Sequence, residues 1–272
     1  MPFISDGRKL VQHAFNNNYA MPAFNICSLE MAKACVMAAE AEEAPIIIQT
    51  YPGDLKHASP KVMQAMVKAL AEEASVPIML HLDHGEGLSM AVSCLRAGYS
   101  SVMFDGAEES LAENIAKSRR LAEVAHAAGA SLEVTADAFE DGQAMSDLDD
   151  TKALMDGSGA DKIAIAVGSR HGQSSRLDLA HLSALASNLG RPLVLHGGSG
   201  IAAEDLAEAV KLGVVKVNIG AALLRNLLAS WSKEAPSAKL HYEVFDFARN
   251  NLIEVARDKI RIMKASGKAA GF

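Results

Sequence analysis

Short apolar segments alternate with longer amphipathic stretches along almost the whole chain. The short segments are apolar or β-branched over most of their length, which is typical of strands covered on both faces of a parallel sheet. The stretches between them space their apolar residues with the period of a helix. The eight predicted strands are Pro22–Ile26, Pro45–Thr50, Pro77–Asp83, Ser101–Asp105, Ser131–Thr135, Lys162–Ala166, Pro192–His196 and Val214–Ile219.

Helical spacing is clearest in four of the intervening stretches and near the end of the chain. The predicted helices are Ser28–Glu43, Pro60–Ser75, Glu86–Ala97 and Glu108–Ala128, with a long last helix from about Ala238 to Ala265. Ser59 and Asp178 are suitable N-cap residues, because their side-chain oxygens can accept hydrogen bonds from the first amides of a helix. Gly129 and Gly190 follow helical stretches where a helix commonly ends.

Strands that alternate with helices predict parallel βαβ units, and eight such units predict an α/β fold of the (β/α)8 TIM-barrel type. An open parallel sheet would need a glycine-rich phosphate loop after its first strand, and the segment 24–28 contains no glycine. No linker or change in composition interrupts the pattern. We therefore expect one TIM-barrel domain over residues 1–272.

Composition narrows the functional classes. Half of the residues are apolar and 22% are charged, which favours a large core over disorder. The net charge of −7 argues against a nucleic-acid partner and against an anionic membrane surface. No apolar run is long enough for a membrane span, and the first residues contain no apolar signal core. Three widely spaced cysteines indicate neither a disulfide framework nor a cysteine-based zinc site, so a cytoplasmic location is expected.

Polar side chains occur where the predicted strands end. In a barrel these ends converge on one face, where active sites are built. The residues are Asn25, Asp83, His84, Asp105, Glu133, His171, His196 and Asn218. One histidine in such a place is more often a hydrogen-bonded structural residue than a metal ligand. Three histidines after different strands favour a metal site.

His84, His171 and His196 match the donor set of a catalytic zinc site, which is three neutral imidazoles with one coordination position open. Asp83, beside His84, is the best candidate for an acid or base that exchanges a proton with a substrate hydroxyl. Its alternative role is to orient a ligand histidine. His81 shares a strand face with Asp83 and is either a similar orienting residue or a packed core histidine.

Three glycine-containing segments are suited to phosphate: Val167–Gly172, His196–Gly200 and Asn218–Ala222. The last two follow the seventh and eighth predicted strands and precede helices. This is the usual phosphate site of a TIM barrel, where backbone amides and helix N-termini face the anion.

The chain resembles the class II ketose-bisphosphate aldolases of the fructose- and tagatose-bisphosphate type. The motifs that carry this resemblance follow one another in the family's order and extend from about residue 3 to about residue 265. They are Pro22–Asn25, His81–His84, Ser101–Asp105, His171-Gly172, Leu195–Gly200 and Val217–Ile219.

The resemblance implies zinc-dependent, reversible cleavage of a phosphorylated ketose to dihydroxyacetone phosphate and an aldehyde. It assigns one Zn²⁺ per subunit to His84, His171 and His196, and proton transfer to Asp83. The implied substrate-binding residues are Asn25, Gly172, Gly197, Gly198, Ser199, Asn218, Ile219, Gly220 and Ala221. The family also leads us to expect a homodimer or homotetramer and allows a monovalent cation.

Three departures from the family pattern, at Thr135, at Tyr51 and in the loop after the fifth predicted strand, indicate a divergent member with an unusual ketose phosphate as substrate. Thr135 stands where the family usually has the second Glu of a Glu-x-Glu pair, which puts an alternative metal position in doubt. Asp105 and Glu133 remain candidates for orienting the ligands or for contacting the metal. Tyr51 stands where a small hydroxyl residue is common.

The loop after the fifth predicted strand lacks the family's double glycine and is shorter. Within it, Glu140 is the candidate base for the enediolate proton; the alternative is a solvated loop acid.

Two other functional classes stay open at this point. A non-catalytic aldolase-like barrel that stabilises a partner subunit would fit the loss of the Glu at Thr135. A zinc-dependent TIM-barrel hydrolase usually carries His-x-His on its first strand, and the segment 24–26 does not supply it.

Overall fold

Eight parallel strands close into a barrel in sequence order, with the first strand paired to the last. The computed structural model describes residues 3–137 and 145–270. The strands are β1 (Met21–Asn25), β2 (Ile46–Thr50), β3 (Ile78–Gly85), β4 (Ser101–Asp105), β5 (Ser131–Thr135), β6 (Lys162–Ile165), β7 (Leu193–Leu195) and β8 (Val214–Ile219). The TIM-barrel prediction is confirmed, and each strand lies within one or two residues of its predicted bounds.

Helices follow the strands and cover the outside of the barrel. They are α1 (Gly7–Asn16), α2 (Leu29–Ala41), α3 (Pro52–His57), α4 (Pro60–Glu73), α5 (Leu88–Ala97), α6 (Leu111–Ala127), α7 (Leu148–Ser158), α8 (Leu179–Leu189), α9 (Ala203–Lys211), α10 (Ala221–Glu234) and α11 (His241–Ile262). The sequence pattern predicted neither α1 nor α3, which is short. None of the helices in the described ranges has the length and apolar character needed to cross a bilayer.

Helix ends follow the predicted capping residues. Asp178 accepts a hydrogen bond from the His181 amide at 2.9 Å and caps α8. Gly190 ends the same helix in the left-handed conformation, with φ of 56°. Ser59 is the N-cap residue of α4, although its side chain makes no capping hydrogen bond. Helices α4 and α8 thus begin, and α8 ends, at the residues that the sequence indicated.

The barrel interior combines a small apolar layer with buried charge. Met103, Ala164, Ala166 and Val194 form a separate apolar cluster. The side chains of Lys162, Lys216, Glu133 and His81 are fully buried in the strands. Charged groups in this position are stable only when they are paired, and the pairing involves the functional site described below.

Glu42, directly after α2, anchors the C-terminal helix to the barrel. Its carboxylate accepts hydrogen bonds from Arg257 at 2.8 Å, from Arg261 at 2.6 Å and from Ser266 at 2.9 Å. Burial alone would raise the pKa of this carboxyl, but the hydrogen bonds outweigh it and lower the pKa to about 2. The ionised form is therefore the one that the folded state stabilises.

We expect Glu42→Gln to reduce the free energy of unfolding by about 1 kcal/mol at pH 7, because hydrogen bonds to a partly exposed charge contribute modestly. The pKa of Glu42 is lowered on folding from 4.5 to about 2, so its contribution is complete above pH 4.5 and disappears as the pH falls towards 2. Urea denaturation of both proteins across this range measures the difference. Glu72→Gln, which removes an exposed pair with Lys68, is the control. A difference that is independent of pH would contradict the prediction.

Candidate active site

The carboxyl ends of the strands surround a pocket of about 790 Å³. Most of the predicted site residues line it: Asn25, Asp83, His84, Asp105, His171, Gly172, Gly197, Ser199, Asn218, Gly220 and Ala221. His196 and Glu133 lie buried directly behind this lining, as their contacts show. Gly198, in the loop after β7, and Ile219, the last residue of β8, are buried. Glu140 lies outside the described residues, so its role stays a prediction.

Three histidines from separate strand ends converge in this pocket. Each of His84, His171 and His196 offers a ring nitrogen, and these atoms lie within 4.8 Å of one another. Nε2 of His84 is 3.0 Å from Nδ1 of His196. The His171 ring approaches both of the others edge to face. Such a cluster brings together the donor atoms that a divalent metal ion needs.

Carboxylates hold the remaining nitrogens of two of these rings. Asp105 Oδ2 is 2.6 Å from Nδ1 of His84, and Glu133 Oε1 is 3.2 Å from Nε2 of His196. These contacts fix the ring orientation and leave the other nitrogen of each ring facing the cluster. The donor set and its carboxylate partners therefore fit a bound metal ion.

The two histidines with carboxylate partners differ in their electrostatic surroundings. Full burial lowers the pKa of His196 to about 4, although the hydrogen bond with Glu133 acts in the opposite direction. Burial would also lower the pKa of His84, but the hydrogen bond with Asp105 and the negative charges of Asp83 and Asp105 together outweigh it, and the pKa is raised. His196 is consequently held as the neutral imidazole that a metal requires.

The backbone of β3 is distorted where it presents His84. The register with β4 shifts between Leu82 and Gly85, and His84 adopts the left-handed conformation with φ of 49°. A non-glycine residue in this region costs roughly 1–3 kcal/mol and is retained where a site requires it. The residue after His84 must be glycine, because a Cβ on Gly85 would lie 2.4 Å from the Met103 carbonyl oxygen. The distortion turns His84 towards the pocket that Asp83 also lines.

Asp83 is buried and accepts hydrogen bonds from three side-chain amides. Asn218 donates to Oδ1 at 2.8 Å, and Asn25 and Gln49 donate to Oδ2 at 2.9 and 3.2 Å. Burial would raise the pKa of Asp83, but the nearby His84, His196 and Lys216 together with the Asn25 hydrogen bond lower it to about 2. Asp83 is therefore a fixed carboxylate at the pocket wall.

Glu133 connects the histidine cluster to the charged barrel interior. Lys216 Nζ lies 3.0 Å from its carboxylate and Lys162 Nζ lies 3.6 Å away. Burial would raise the pKa of Glu133, but Lys216 and its other neighbours hold it well below the usual range. His81 Nε2 is 3.5 Å from the same carboxylate, and its Nδ1 is 2.7 Å from Ser101 Oγ. His81 thus belongs to this network and supports the site indirectly.

Sequence reasoning missed Gln49, Lys162 and Lys216. Each is a polar residue within a strand whose neighbours are buried and mostly apolar, and that interruption of the pattern is the signal that could have identified them. Thr135, one of the departures from the family pattern, forms hydrogen bonds with backbone groups through its side chain. Its hydroxyl donates to the Ala164 carbonyl at 3.1 Å and accepts from the Asp137 amide at 3.1 Å.

The loops after β7 and β8 form a cradle with close backbone packing. Gly197 has φ of 70°, and a Cβ on Gly198 would lie 2.2 Å from Val217 Cγ1. Ser199 Oγ accepts a hydrogen bond from the Ala222 amide at 3.1 Å, which joins this loop to the first turn of α10. Free amides at a helix N-terminus beside small residues are suited to an anion.

A TIM barrel with three converging histidines and a fixed carboxylate at the strand ends has the residues of an enzyme that could bind a metal ion. The model of the family described as "Fructose-bisphosphate aldolase class-II" matches residues 5–268. The fructose-bisphosphate aldolase of Streptococcus pyogenes serotype M1 is 39% identical over 231 residues, covering 79% of this chain and 78% of that protein. That of Streptococcus pneumoniae serotype 4 is 40% identical with the same coverage.

Solved structures show the same architecture. The YdjI aldolase from Escherichia coli K12 is 27% identical, with a TM-score of 0.88 over 96% of this chain and 98% of the other. The fructose-bisphosphate aldolase of Campylobacter jejuni has a TM-score of 0.86 at 20% identity over 98% and 97% of the two chains, a likeness of fold. The chain belongs to the class-II fructose-bisphosphate aldolase family. It is a class II aldolase, which cleaves a phosphorylated ketose to dihydroxyacetone phosphate and an aldehyde.

We expect Asp105→Asn to weaken Zn²⁺ binding by about 10- to 100-fold, because the amide no longer orients His84 with a negative charge. Competition with a chromophoric chelator measures the affinity without reference to activity. Asp161→Asn is the matched control, since Asp161 pairs with His126 at 3.0 Å outside the pocket. Equal affinities of the Asp105 and Asp161 variants would show that the carboxylate does not support a metal ligand.

Proposed function

We propose that the chain binds one Zn²⁺ through His84, His171 and His196 and uses Asp83 to move the proton in reversible aldol cleavage. The observation that carries this proposal is the position of a fixed carboxylate next to a three-histidine cluster in one pocket. When bound, Zn²⁺ supplies a Lewis acid that stabilises negative charge developing on the substrate's oxygens. Neither a Schiff-base lysine nor an organic cofactor is then required.

Asp83 takes the proton of the C4 hydroxyl when the C3–C4 bond breaks, and returns it during condensation. The amides of Asn25, Gln49 and Asn218 donate hydrogen bonds to both oxygens of the carboxylate and fix its direction. A base held in one orientation needs little reorganisation during the reaction.

The phosphate of the dihydroxyacetone phosphate half is held by the loops after β6, β7 and β8. Gly172, Gly197–Ser199 and Asn218–Ala221 supply small residues and backbone amides there. Two cations stand beside the same loops: Arg225 donates to the Gly172 carbonyl at 3.0 Å, and Lys259 lies 3.4 Å from the Gly198 carbonyl. Together these groups offset the charge of the anion in an acidic protein.

The same proposal includes features that depend on the family alone. These are a homodimer or homotetramer, a cytoplasmic location and room for a monovalent cation. The three cysteines are free thiols, which suits a reducing compartment. Family membership leaves a zinc hydrolase without support. The joint presence of the three histidines and Asp83 argues against a non-catalytic subunit.

We expect Asp83→Ala to lower kcat by about 10²- to 10⁴-fold while Zn²⁺ stays bound, because the variant lacks the proton acceptor but keeps all three ligands. Release of triose phosphate from ketose phosphates, with and without a chelator, measures turnover. Metal analysis of the same samples measures occupancy. Turnover close to that of the unchanged protein would remove Asp83 from the mechanism. Absence of any chelator-sensitive release of triose phosphate by the unchanged protein would overturn the enzymatic proposal.

Glu140 is proposed as the base that handles the enediolate proton. We expect Glu140→Gln to slow the exchange of the C3 proton of dihydroxyacetone phosphate with solvent deuterium by about 10²-fold or more, since the amide cannot accept that proton. Proton NMR of the zinc-loaded protein measures the exchange. Asp141→Asn is the neighbouring control. Unchanged exchange in the Glu140 variant would assign this step to another group.

A further inference from the structure

The two sides of the pocket differ in charge: one side is acidic, and the other is the anion cradle. The anion cradle, with Arg225 and Lys259 beside it, lies at the ends of β6 to β8. The residues after β3 and β4 that line the same pocket include Glu86, Glu108 and Glu109. Because the strands close in sequence order, β2 to β4 lie across the barrel from β6 to β8. A substrate whose phosphate is held in the cradle therefore extends its other end towards the acidic side.

The described lining of the acidic side carries carboxylates and no cation. Among the described residues that line the pocket there is no Lys or Arg. Glu86 and Glu108 are exposed and form no ion pair within the described ranges. A second phosphate at this end would face the carboxylates of Glu86 and Glu108.

Two cations lie nearby but outside the lining. Lys117 and Arg120, on α6, line a smaller cavity of about 280 Å³ that shares Gly87 and Glu109 with the main pocket. Lys117 forms an ion pair with Glu109. Its charge is thus already matched by a carboxylate at the boundary between the two cavities.

We propose that the aldehyde half of the substrate carries no phosphate and is an uncharged, hydroxylated chain, so that the ketose has a single phosphate at C1. This inference rests on the proposed function. Carboxylates accept hydrogen bonds from sugar hydroxyls and repel a phosphate dianion. Tyr51, which lines the pocket after β2, adds a further uncharged hydroxyl to the same side. Glu86 and Glu108 are the residues that determine this specificity.

Condensation by the zinc-loaded full chain tests the inference directly, because the enzyme then sets its own stereochemistry. Dihydroxyacetone phosphate is offered with D- or L-glyceraldehyde and, in parallel, with the corresponding glyceraldehyde 3-phosphates. We expect kcat/KM to favour the better uncharged aldehyde over its phosphorylated form by about tenfold or more. Raising the ionic strength from about 0.02 M to about 0.5 M should narrow this ratio, since salt screens the repulsion.

Variants identify the origin of the preference. We expect the double variant Glu86→Gln, Glu108→Gln to shift the kcat/KM ratio towards the phosphorylated aldehyde by about threefold to tenfold, because the charge is lost but the hydrogen-bonding shape is kept. Glu123→Gln, on the exposed side of α6, should leave the ratio unchanged.

Two results would overturn the inference. A higher kcat/KM for the phosphorylated aldehydes would do so, and if that preference disappeared in Arg120→Gln the second phosphate would be placed at the α6 cations. A preference for uncharged aldehydes that the double variant leaves intact would remove Glu86 and Glu108 as its cause. If no aldehyde condenses with dihydroxyacetone phosphate in a chelator-sensitive reaction, the proposed function itself fails and the inference fails with it.

Discussion

The site depends on the pairing of the buried Glu133 carboxylate with His196 and Lys216. The carboxylate holds His196 at 3.2 Å, and Lys216 at 3.0 Å keeps it ionised inside the barrel. Removing both Lys216 and Lys162 would leave this negative charge unpaired in a dry interior, at a cost of several kcal/mol. The charged layer is therefore a condition for a neutral, oriented imidazole at the pocket, and the closed barrel is what brings β5, β6 and β8 together around it.

A distortion at the end of β3 lets two adjacent residues, Asp83 and His84, contact different partners in one pocket. In a regular strand, Asp83 and His84 would point to opposite faces of the sheet. The register shift and the positive φ of His84 redirect its ring towards the cluster, while Asp83 stays within the amides of Asn25, Gln49 and Asn218. Backbone strain at one residue thus places the proposed metal ligand and the proposed base in one pocket.

Local chemistry could be predicted from the sequence, and long-range pairing could not. Strand positions and the strand-end residues His84 and His196 followed from pattern, because each is defined by its immediate neighbours. The pattern could mark Lys162 and Lys216 as unusual polar residues in buried strands, but it could not give their role. Their partner Glu133 lies on another strand and becomes adjacent only when the barrel closes. The left-handed backbone of His84 also has no sequence signal, because histidine does not require that conformation.

Net charge and local charge have different consequences in this molecule. A total of −7 would disfavour any anionic ligand if charge were spread evenly. Instead, helix amides, Arg225 and Lys259 favour an anion at one end of the pocket, and Glu86 and Glu108 oppose one at the other. The distribution fixes the orientation of an asymmetric substrate as well as its affinity. A molecule with one phosphate fits this field in one direction only, whereas a molecule with a phosphate at each end meets repulsion either way.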